Sequence, residues 1–276
     1  MLDVHPPHEA PHSWRDFFIH IITIVIGLII AVGLEQSVEL IHHHHQRQQL
    51  EADLHAESLR NLHIALDNIA VAERLLSSET SQYAQLRHLD RNHGPVLIDL
   101  TGDKDGGTAR PATAAWTTAQ QNATLALLPH QVAQKYTRVY SVAQTVSVAI
   151  DQNNVADQVL RAARAPAILD PSALSIAARR PRRFDAAALD SEDLRALRNA
   201  LAARIQRLNS FCVYNNFLYV SAWAADRGNL SDQDTIRILY DAYSIYVNHG
   251  EAALLATYPL PAEAQPVPSP SSGETN

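Results

Sequence analysis

The apolar stretch of residues 17–34, FFIHIITIVIGLIIAVGL, constrains the fold of this chain more than any other feature of its sequence. It lies between Asp16 and Glu35 without a charged side chain, and thirteen of its residues are Phe, Ile, Val or Leu. As an α-helix it would be ~27 Å long, close to the ~30 Å hydrocarbon core of a bilayer. Those thirteen side chains would contribute about −4 to −8 kcal/mol to membrane insertion. The stretch therefore predicts one membrane span, marked along its length by Phe17, Ile22, Gly27, Ala31 and Leu34.

Two other interpretations of this stretch are a cleaved signal peptide and a buried core helix. Residues 31–33 (AVG) offer a small-x-small cleavage site, but the apolar run exceeds the usual ~7–15 residues and its basic flank is only Arg15. A core helix of this length seldom lacks charge. Trp14 and Arg15 instead suit a membrane interface. Gly27 and Ala31 form a small-xxx-small pair, so the expected partners are the lipid bilayer and either a second copy or another membrane protein.

The orientation of the span follows from its flanks only in part. Positive charge marks the cytoplasmic side, but Arg15 precedes the span and Arg47 follows it, which is a tie. The span lies at the N-terminus with a large domain behind it. We therefore expect a single-pass protein of the bacterial inner membrane, with the N-terminus inside and most of the chain in the periplasm.

Composition indicates a helical protein that does not bind nucleic acid. The net charge of the 276 residues is −7, which gives no general electrostatic support for binding phosphate backbones. Only nine Gly occur, beside a high Ala content that favours helices. The lone Cys212 excludes an intramolecular disulfide, and its expected role is that of a small buried apolar side chain. The predicted fold class is all-α, an N-terminal transmembrane helix that continues into an antiparallel helical bundle.

Apolar residues repeat at intervals of three and four in four segments, as in helices that bury one face. The first segment is expected to end at Gly94-Pro95, and a break near the histidines or near Ser77-Ser78 is equally open. In the second segment, Pro129 is expected as the first helical residue and Pro166 as the stop. Either Asp190 or Ser191 is expected to cap the third segment, and residues 231–234 are expected to open the fourth in an acidic variant of the capping box. An end or a kink of that last helix is expected at His249-Gly250. The stripes are Leu59, Leu62, Leu66, Ile69, Leu76 and Tyr83; Val132, Tyr136, Val139, Ala143, Val146 and Ile150; Leu194, Leu197, Leu201, Ile205, Leu208 and Cys212; and Ile236, Leu239, Tyr243 and Val247.

The boundaries between these parts follow from composition. Residues 1–13 form a short disordered lead and residues 14–40 the transmembrane anchor. Residues 41–258 form the helical-bundle domain, which contains a proline-bearing, charged connector at 166–189 that is expected to be solvated. Residues 259–276 are rich in Pro and Ser, which predicts a disordered tail.

The histidines at 42–45 are one candidate metal site, and Asp99, Asp103 and Asp105 form a loose calcium-loop pattern that lacks the required spacing and the terminal Glu. Four consecutive helical residues point in directions ~100° apart, so one ion cannot bind all four. His42 and His45 are therefore weak metal candidates, and no metal or other cofactor is predicted. The favoured interpretation is a polar collar outside the membrane, which would gain positive charge near pH 6 and attract anionic headgroups. A metal or pH sensor built on this collar is a third functional hypothesis.

Catalytic motifs are absent from the sequence: it contains no glycine-rich phosphate loop, nucleophile elbow or HExxH. The predicted function is a non-enzymatic interaction or sensing module on a membrane anchor. The alternative is a small-ligand binder or enzyme with a pocket between the last two long helices, although aromatic residues at helical spacing are more often core. The pocket residues would be Tyr214, Asn215, Tyr219, Trp223, Tyr240 and Tyr243.

Two blocks of sequence resemble a broad set of uncharacterised bacterial single-pass membrane proteins. In the first, the span IGLIIAVGLEQ leads into a polar helix with an E-x3-N motif, which is Glu57 to Asn61 here. In the second, TAAWTTAQQNATLALLPHQVAQKYTRVY, a short Trp-bearing helix precedes a helix that begins at a proline. The resemblance covers about two thirds of the chain. It implies a helical domain of unknown function behind a transmembrane helix, and it implies no catalytic residue.

Overall fold

The computed structural model describes residues 14–87, 89, 97–99, 107–165, 183–185, 189–228 and 230–264. Within them, five α-helices confirm the predicted all-α fold. They are α1 (Trp14–Arg87), α2 (Ala114–Gln121), α3 (His130–Arg164), α4 (Ser191–Asp226) and α5 (Asp232–Thr257). Two short 3₁₀ helices (Thr124–Leu127 and Ala262–Ala264) and two short strands, β1 (Leu97–Asp99) and β2 (Arg183–Asp185), complete the elements.

The chain divides into two compact units, Met1–Glu51 and Ala52–Asn276. The boundary predicted between anchor and bundle, at residue 40, therefore falls inside the first unit. The second unit contains the remainder of α1 together with α2 to α5. Neither the histidines nor Ser77-Ser78 interrupt α1 in the structure, which settles the two breaks that the sequence left open.

In the second unit, α4 runs antiparallel to α1. Asn68 on α1 contacts Asn215 on α4, and further along α1 the backbone carbonyl of Leu86 accepts from Arg198 on α4. Residue numbers therefore rise along α1 while those of the contacting residues fall along α4. Helix α3 is antiparallel to α4 as well, because Lys135 lies against Ala225 near one end of the pair. At the other end, Arg204 donates to the backbone carbonyl of Asn153.

Helices α1, α3 and α4 supply most of two hydrophobic clusters, which include members of their predicted stripes. Fully buried members of the larger cluster are Leu62, Val139, Ala143, Phe211 and Tyr219. The smaller cluster contains Leu86, Leu160, Leu197, Ala200 and Leu201. Burying one such Leu or Phe side chain stabilises the fold by about 1.5 to 3 kcal/mol, so these clusters are the main source of the stability of the bundle.

Helix starts follow the predicted capping. The side chain of Asp190 accepts from the backbone N–H groups of Glu192 and Asp193, both at 2.8 Å, and thus caps α4. Ser231 caps α5 by accepting from the N–H of Asp234 at 3.1 Å, while its own hydroxyl donates to the Asp234 carboxylate. Helix α3 ends at Arg164 as expected. Pro129, however, is the N-cap of α3, one residue before its predicted position.

Helix α5 is kinked at Gly250. The backbone of Gly250 has φ 79° and ψ −176°, a conformation that glycine adopts readily because it lacks a Cβ. Before this residue, the Tyr246 hydroxyl donates to Glu73. After it, Tyr258 accepts from Tyr219 on α4. The kink that the sequence placed at His249-Gly250 therefore returns the last turns of α5 to the core.

One helix end and one connector differ from the sequence predictions. Helix α1 ends at Arg87 instead of at Gly94-Pro95. The connector 166–189 contains β2, which pairs antiparallel with β1 in the register Leu97 opposite Asp185. Such a pairing is invisible to local periodicity, because the partners lie far apart in sequence.

At the C-terminus, residues 259–264 were assigned to the disordered tail but are packed. The Trp223 indole donates to the Pro259 carbonyl at 3.0 Å, and Ala264 is buried. The predicted lead 1–13, the rest of the tail (265–276) and most of the connector lie outside the described residues.

Candidate functional site

The apolar stretch 17–34 presents its side chains to the surroundings along its whole length. None of them is buried inside the protein, and Ile24, for example, is 69% exposed. Among the described residues, this is the one helical segment long and apolar enough to cross a membrane. The side chains of a core helix would be buried, so the exposure of these side chains argues against the core-helix interpretation. The Thr23 hydroxyl donates to the Ile19 carbonyl at 2.8 Å and thus satisfies its hydrogen bond within the helix, as a lipid environment requires.

The histidines that follow are exposed and bonded along the helix surface. His42 and His44 contact the amides of Gln46 and Gln48, one turn onward, at 2.9 and 3.0 Å. The rings of His44 and His45 are adjacent, with centroids 6.3 Å apart. No group of three or more His, Cys, Asp or Glu side chains suited to a metal ion occurs in the part of the chain that the structure describes.

Both residues of the E-x3-N motif bind backbone. The Asn61 amide donates to the Ala112 carbonyl at 2.9 Å and accepts from its N–H at 2.7 Å. The Glu57 carboxylate accepts from the N–H of Ala115 at 2.9 Å, in the first turn of α2, where helix dipole and negative charge attract. The first sequence block therefore contacts the second one. This attachment accounts for the positions of Glu57 and Asn61.

Asn68 extends this attachment two turns along α1. Its amide donates to the Ala109 carbonyl at 2.9 Å and accepts from the Ala109 N–H at 2.8 Å. The same amide nitrogen lies 3.0 Å from the side-chain oxygen of Asn215 on α4. Arg110, between the two attachment points, pairs with Asp151 on α3. Residues 107–113 are thus fastened to two helices, α1 and α3, although they form no regular element.

The six residues of the predicted aromatic pocket are placed in two different environments. Asn215 and Tyr219 are fully buried, and the Tyr219 hydroxyl donates to the Tyr258 carbonyl at 2.6 Å. Trp223 lies edge-on to the Tyr258 ring, and Tyr214 is packed against the core. Tyr240 and Tyr243 face solvent. The structure brings the first four into the packed core of the bundle, and a ligand site among all six remains a prediction.

Around Cys212, burial suppresses acid–base chemistry. The thiol is buried, and desolvation raises its pKa to about 11, so it is protonated at neutral pH and is not nucleophilic. Burial also raises the pKa of Glu251, with the nearby carboxylates of Glu73 and Asp67 adding to the effect. A buried, protonated Cys212 agrees with its expected role as a small apolar side chain.

A buried ion pair joins α1 and α4. Arg204 and Glu79 are 8% and 3% exposed, and the guanidinium nitrogen Nε lies 3.4 Å from the Glu79 carboxylate. Asp157 on α3 approaches the same guanidinium at 3.8 Å. Sequence periodicity did not single out these residues, because charges at buried positions look like any other charged helix residue. The cluster joins α1, α3 and α4, and we assign it a structural role.

A cavity of about 280 Å³ lies elsewhere, where α3 begins, α4 ends and α5 begins. Its lining includes the cationic residues Lys135 and Arg138, the buried Ser221, and Thr235 near the start of α5. The Lys135 ammonium donates to the Ala225 carbonyl at 3.2 Å. The cavity could not be predicted from local sequence patterns, because its walls come from the ends of three separate helices.

Helix α5 also carries an exposed apolar stripe, Ile236, Tyr240, Tyr243 and Val247. These side chains are between 37% and 70% exposed and follow a 4-3-4 spacing. The predicted stripe of this helix contained Leu239 in place of Tyr240, and only Leu239 of that set packs against the core cluster. The helix has two apolar faces, and the structure buries the one that contains Leu239 and Ala242.

These features define an all-α protein with one helix suited to crossing a membrane and a helical bundle that carries one described cavity and one exposed apolar stripe. Comparison with protein-family models, with curated proteins and with solved structures found no match to this chain. The geometry of the chain itself is therefore the basis for proposing its function.

Proposed function

We propose that this chain is a single-pass protein of the bacterial inner membrane whose helical bundle is a non-enzymatic interaction or sensing module. The observation that carries the proposal is the uncovered apolar stretch 17–34. Thirteen large apolar side chains in water would be strongly unfavourable, at about 25 cal/mol per Å² of exposed apolar surface. Lipid removes that penalty, and Trp14 with Phe17 and Phe18 forms an aromatic group at one end, as at a membrane interface.

We expect the full-length protein to sediment with membranes, to resist extraction by high salt and to be released by detergent. A variant without residues 1–34 should be found in the soluble fraction, because it lacks the apolar segment. Fractionation followed by immunodetection measures both. A full-length chain in the soluble fraction would contradict the anchor.

The cleaved signal peptide is distinguished by the mass of the mature protein. An intact N-terminus on the membrane-bound form supports the span, whereas a chain that begins after Gly33 identifies a signal peptide. Protease treatment of spheroplasts reports the side: with the N-terminus inside, the helical bundle is digested only when the outer face of the inner membrane is accessible.

The α5 stripe supports the interaction function. Apolar side chains at alternating intervals of four and three on one exposed face are typical of a helix that packs against another helix. In this protein each side chain of the stripe is at least 37% exposed. The four residues are Ile236, Tyr240, Tyr243 and Val247. We infer that this face contacts a second copy of the chain or another membrane protein.

We expect a photo-crosslinking amino acid at Tyr240 to form a defined adduct in native membranes. The matched control is the same amino acid at Arg195, an exposed position on α4 outside the stripe. An adduct of twice the mass identifies a second copy, and any other mass identifies a partner by mass spectrometry. An identical adduct pattern at both positions, or none at Tyr240, would contradict a docking role for the stripe.

A small-ligand binder is the second candidate function, and the cavity between α3, α4 and α5 favours it. It differs in place from the predicted pocket of Tyr214, Asn215, Tyr219, Trp223, Tyr240 and Tyr243, none of which is among its lining residues. Binding at this cavity and docking through α5 are compatible, since a sensing module requires both a ligand site and a surface that reports it.

We also propose that the chain belongs to the set of bacterial single-pass membrane proteins that its two blocks resemble. The support is a direct contact between the two blocks. Glu57 and Asn61 of the first block bind the backbone of residues 112–116, where the second block begins. Trp116 then stacks on Tyr140, with ring centroids 4.8 Å apart. Because the two blocks contact each other, we expect a protein that contains one block to contain the other as well.

A further inference from the structure

The part of α1 that follows the apolar stretch is exposed on every side. Residues 35–46 are helical, and each of their side chains is exposed. They belong to the first compact unit, Met1–Glu51. About a dozen helical residues in water are only marginally stable by themselves, so this segment would gain stability from a second helix packed along it.

Two apolar side chains of this segment, Val38 and Ile41, share one face with Leu34 at the end of the apolar stretch. Their spacing of four and then three residues is that of a coiled-coil seam. All three are at least 59% exposed. Ile41 lies ~10 Å past Leu34 along the helix, whereas the headgroup layer adds only about 5–8 Å on each side of the hydrocarbon core. Water therefore surrounds Ile41, and covering it with apolar surface is favourable.

The same face continues through the apolar stretch. Steps of three and four residues back from Leu34 give Ala31, Gly27, Ile24 and His20. His20 is the one ionisable residue of the stretch 17–34, and ionisable residues within a membrane generally face another helix instead of lipid. Gly27 and Ala31 are small enough for two helices to approach closely. The polar residue, the small pair and the exposed apolar residues beyond the membrane thus fall on one face.

The chemistry of this face matches a second copy of the chain. Two copies insert into a membrane with the same orientation, so their helices are parallel and each position meets its counterpart at the same depth. The small residues then meet within the membrane, and the apolar ones meet where water begins. Charge is compatible with this pairing, because no flanking pair of a parallel coil between residues 30 and 49 joins two charges of the same sign. Those pairs are Ile30 with Glu35, Ser37 with His42 and His44 with Gln49.

We propose that this face of α1 is the interface of a parallel homodimer that extends from the membrane into the water beyond it. The proposal rests on the membrane span proposed above, because the span is what makes two copies parallel and sets them at one depth. It is separate from the α5 stripe, which belongs to the second unit. The seam residues are His20, Gly27, Ala31, Leu34, Val38 and Ile41.

Disulfide formation in native membranes tests the interface. The full-length variants are Val38→Cys, Ile41→Cys and, as a control off the seam, Leu40→Cys, where the native side chain is 71% exposed. The oxidant is copper phenanthroline, and the unsubstituted chain is the blank, since its one thiol, at Cys212, is buried. We expect both seam variants to form a product of twice the chain mass at least about tenfold faster than Leu40→Cys, because a disulfide requires Cα atoms within ~7 Å.

The same samples are divided into membrane and soluble fractions, which separates failure of the dimer from failure of the anchor. Equal rates at the three positions would show random collision and overturn the dimer, and so would adducts of any mass other than twice that of the chain. If the protein is in the membrane fraction when this happens, the anchor stands and only the dimer fails. Protein in the soluble fraction contradicts the span, and the parallel dimer is then overturned with it.

Two glycine substitutions test whether the interface includes the membrane part of the face. Gly27 is on the seam and Gly33 is on another face, and within one chain a Cβ at either position meets no atom within 4 Å. Gly27→Leu and Gly33→Leu therefore add the same apolar side chain without a clash inside the chain. We expect Gly27→Leu to slow disulfide formation by Val38→Cys about tenfold, because a bulky side chain separates the two helices, and Gly33→Leu to leave the rate unchanged. The same rate in both glycine variants would overturn the proposed face.

Discussion

Replacing Arg204 by Met is expected to lower the free energy of unfolding by about 3 to 5 kcal/mol, the largest effect of any single substitution we predict. Arg204 is the cation that faces the buried Glu79 carboxylate at 3.4 Å, and Asp157 approaches it from α3. Removing the cation takes away the Arg204 partner of a Glu79 carboxylate that is buried inside the bundle. Desolvation of such a charge is far more unfavourable than the loss of one surface ion pair.

Urea unfolding of the full-length protein in detergent, followed by circular dichroism, measures this loss. Arg207→Met is the control, because Arg207 lies one turn onward on α4 but is exposed, and we expect a change below about 0.5 kcal/mol for it. The double variant Arg204→Met with Glu79→Leu should recover part of the stability, since neither charge is then left alone. If Arg204→Met destabilises no more than Arg207→Met, the pair is not a buried one.

Replacing Asn68 by Ala is expected to lower the free energy of unfolding by about 2 to 4 kcal/mol. The substitution removes two hydrogen bonds to the backbone of Ala109 and one to the Asn215 side chain, at 2.8 to 3.0 Å. Water cannot readily replace the bond to Asn215, because both residues are buried. The loss at Ala109 should also release the chain around Ala109 from α1, while Asn61 continues to hold Ala112.

Hydrogen exchange gives this prediction a local readout. The amide of Ala109 should lose its protection in the Asn68→Ala protein, while the amides in the middle of α3 should keep theirs. Asn248→Ala is the control: its amide bonds only within its own helix, to Ser244, at an exposed position. Unchanged protection at Ala109 would show that the segment is held by other contacts, such as the pair between Arg110 and Asp151.

Features that depend on neighbours in sequence could be predicted well. Asp190 and Ser231 were recognised as helix starts because a cap needs only a side-chain oxygen two or three residues before the N–H that it accepts. The kink at Gly250 followed from the freedom of glycine. Pro129 was misplaced by one residue, within the ordinary uncertainty of a helix boundary.

The features of the candidate sites were harder to predict, for an equally physical reason. The cavity is formed by Lys135, Arg138 and Ser221, which belong to separate helices, and no pattern on one helix shows that an opposing helix leaves space. The motif of Glu57 and Asn61 was recognised, but its role as a backbone attachment was not, because its partners lie more than fifty residues away.

The sequence by itself determined that the chain is helical, where its helices in the bundle begin, and that residues 17–34 lack any charge and suit lipid. Only the tertiary structure decided which of the two apolar faces of α5 is buried, that β1 pairs with β2, and that Ser221 borders a cavity. Periodicity and capping involve residues three or four positions apart, so neighbouring side chains in the sequence determine them. The choice of a buried face depends on which distant helix covers it, so it arises only when the helices pack together.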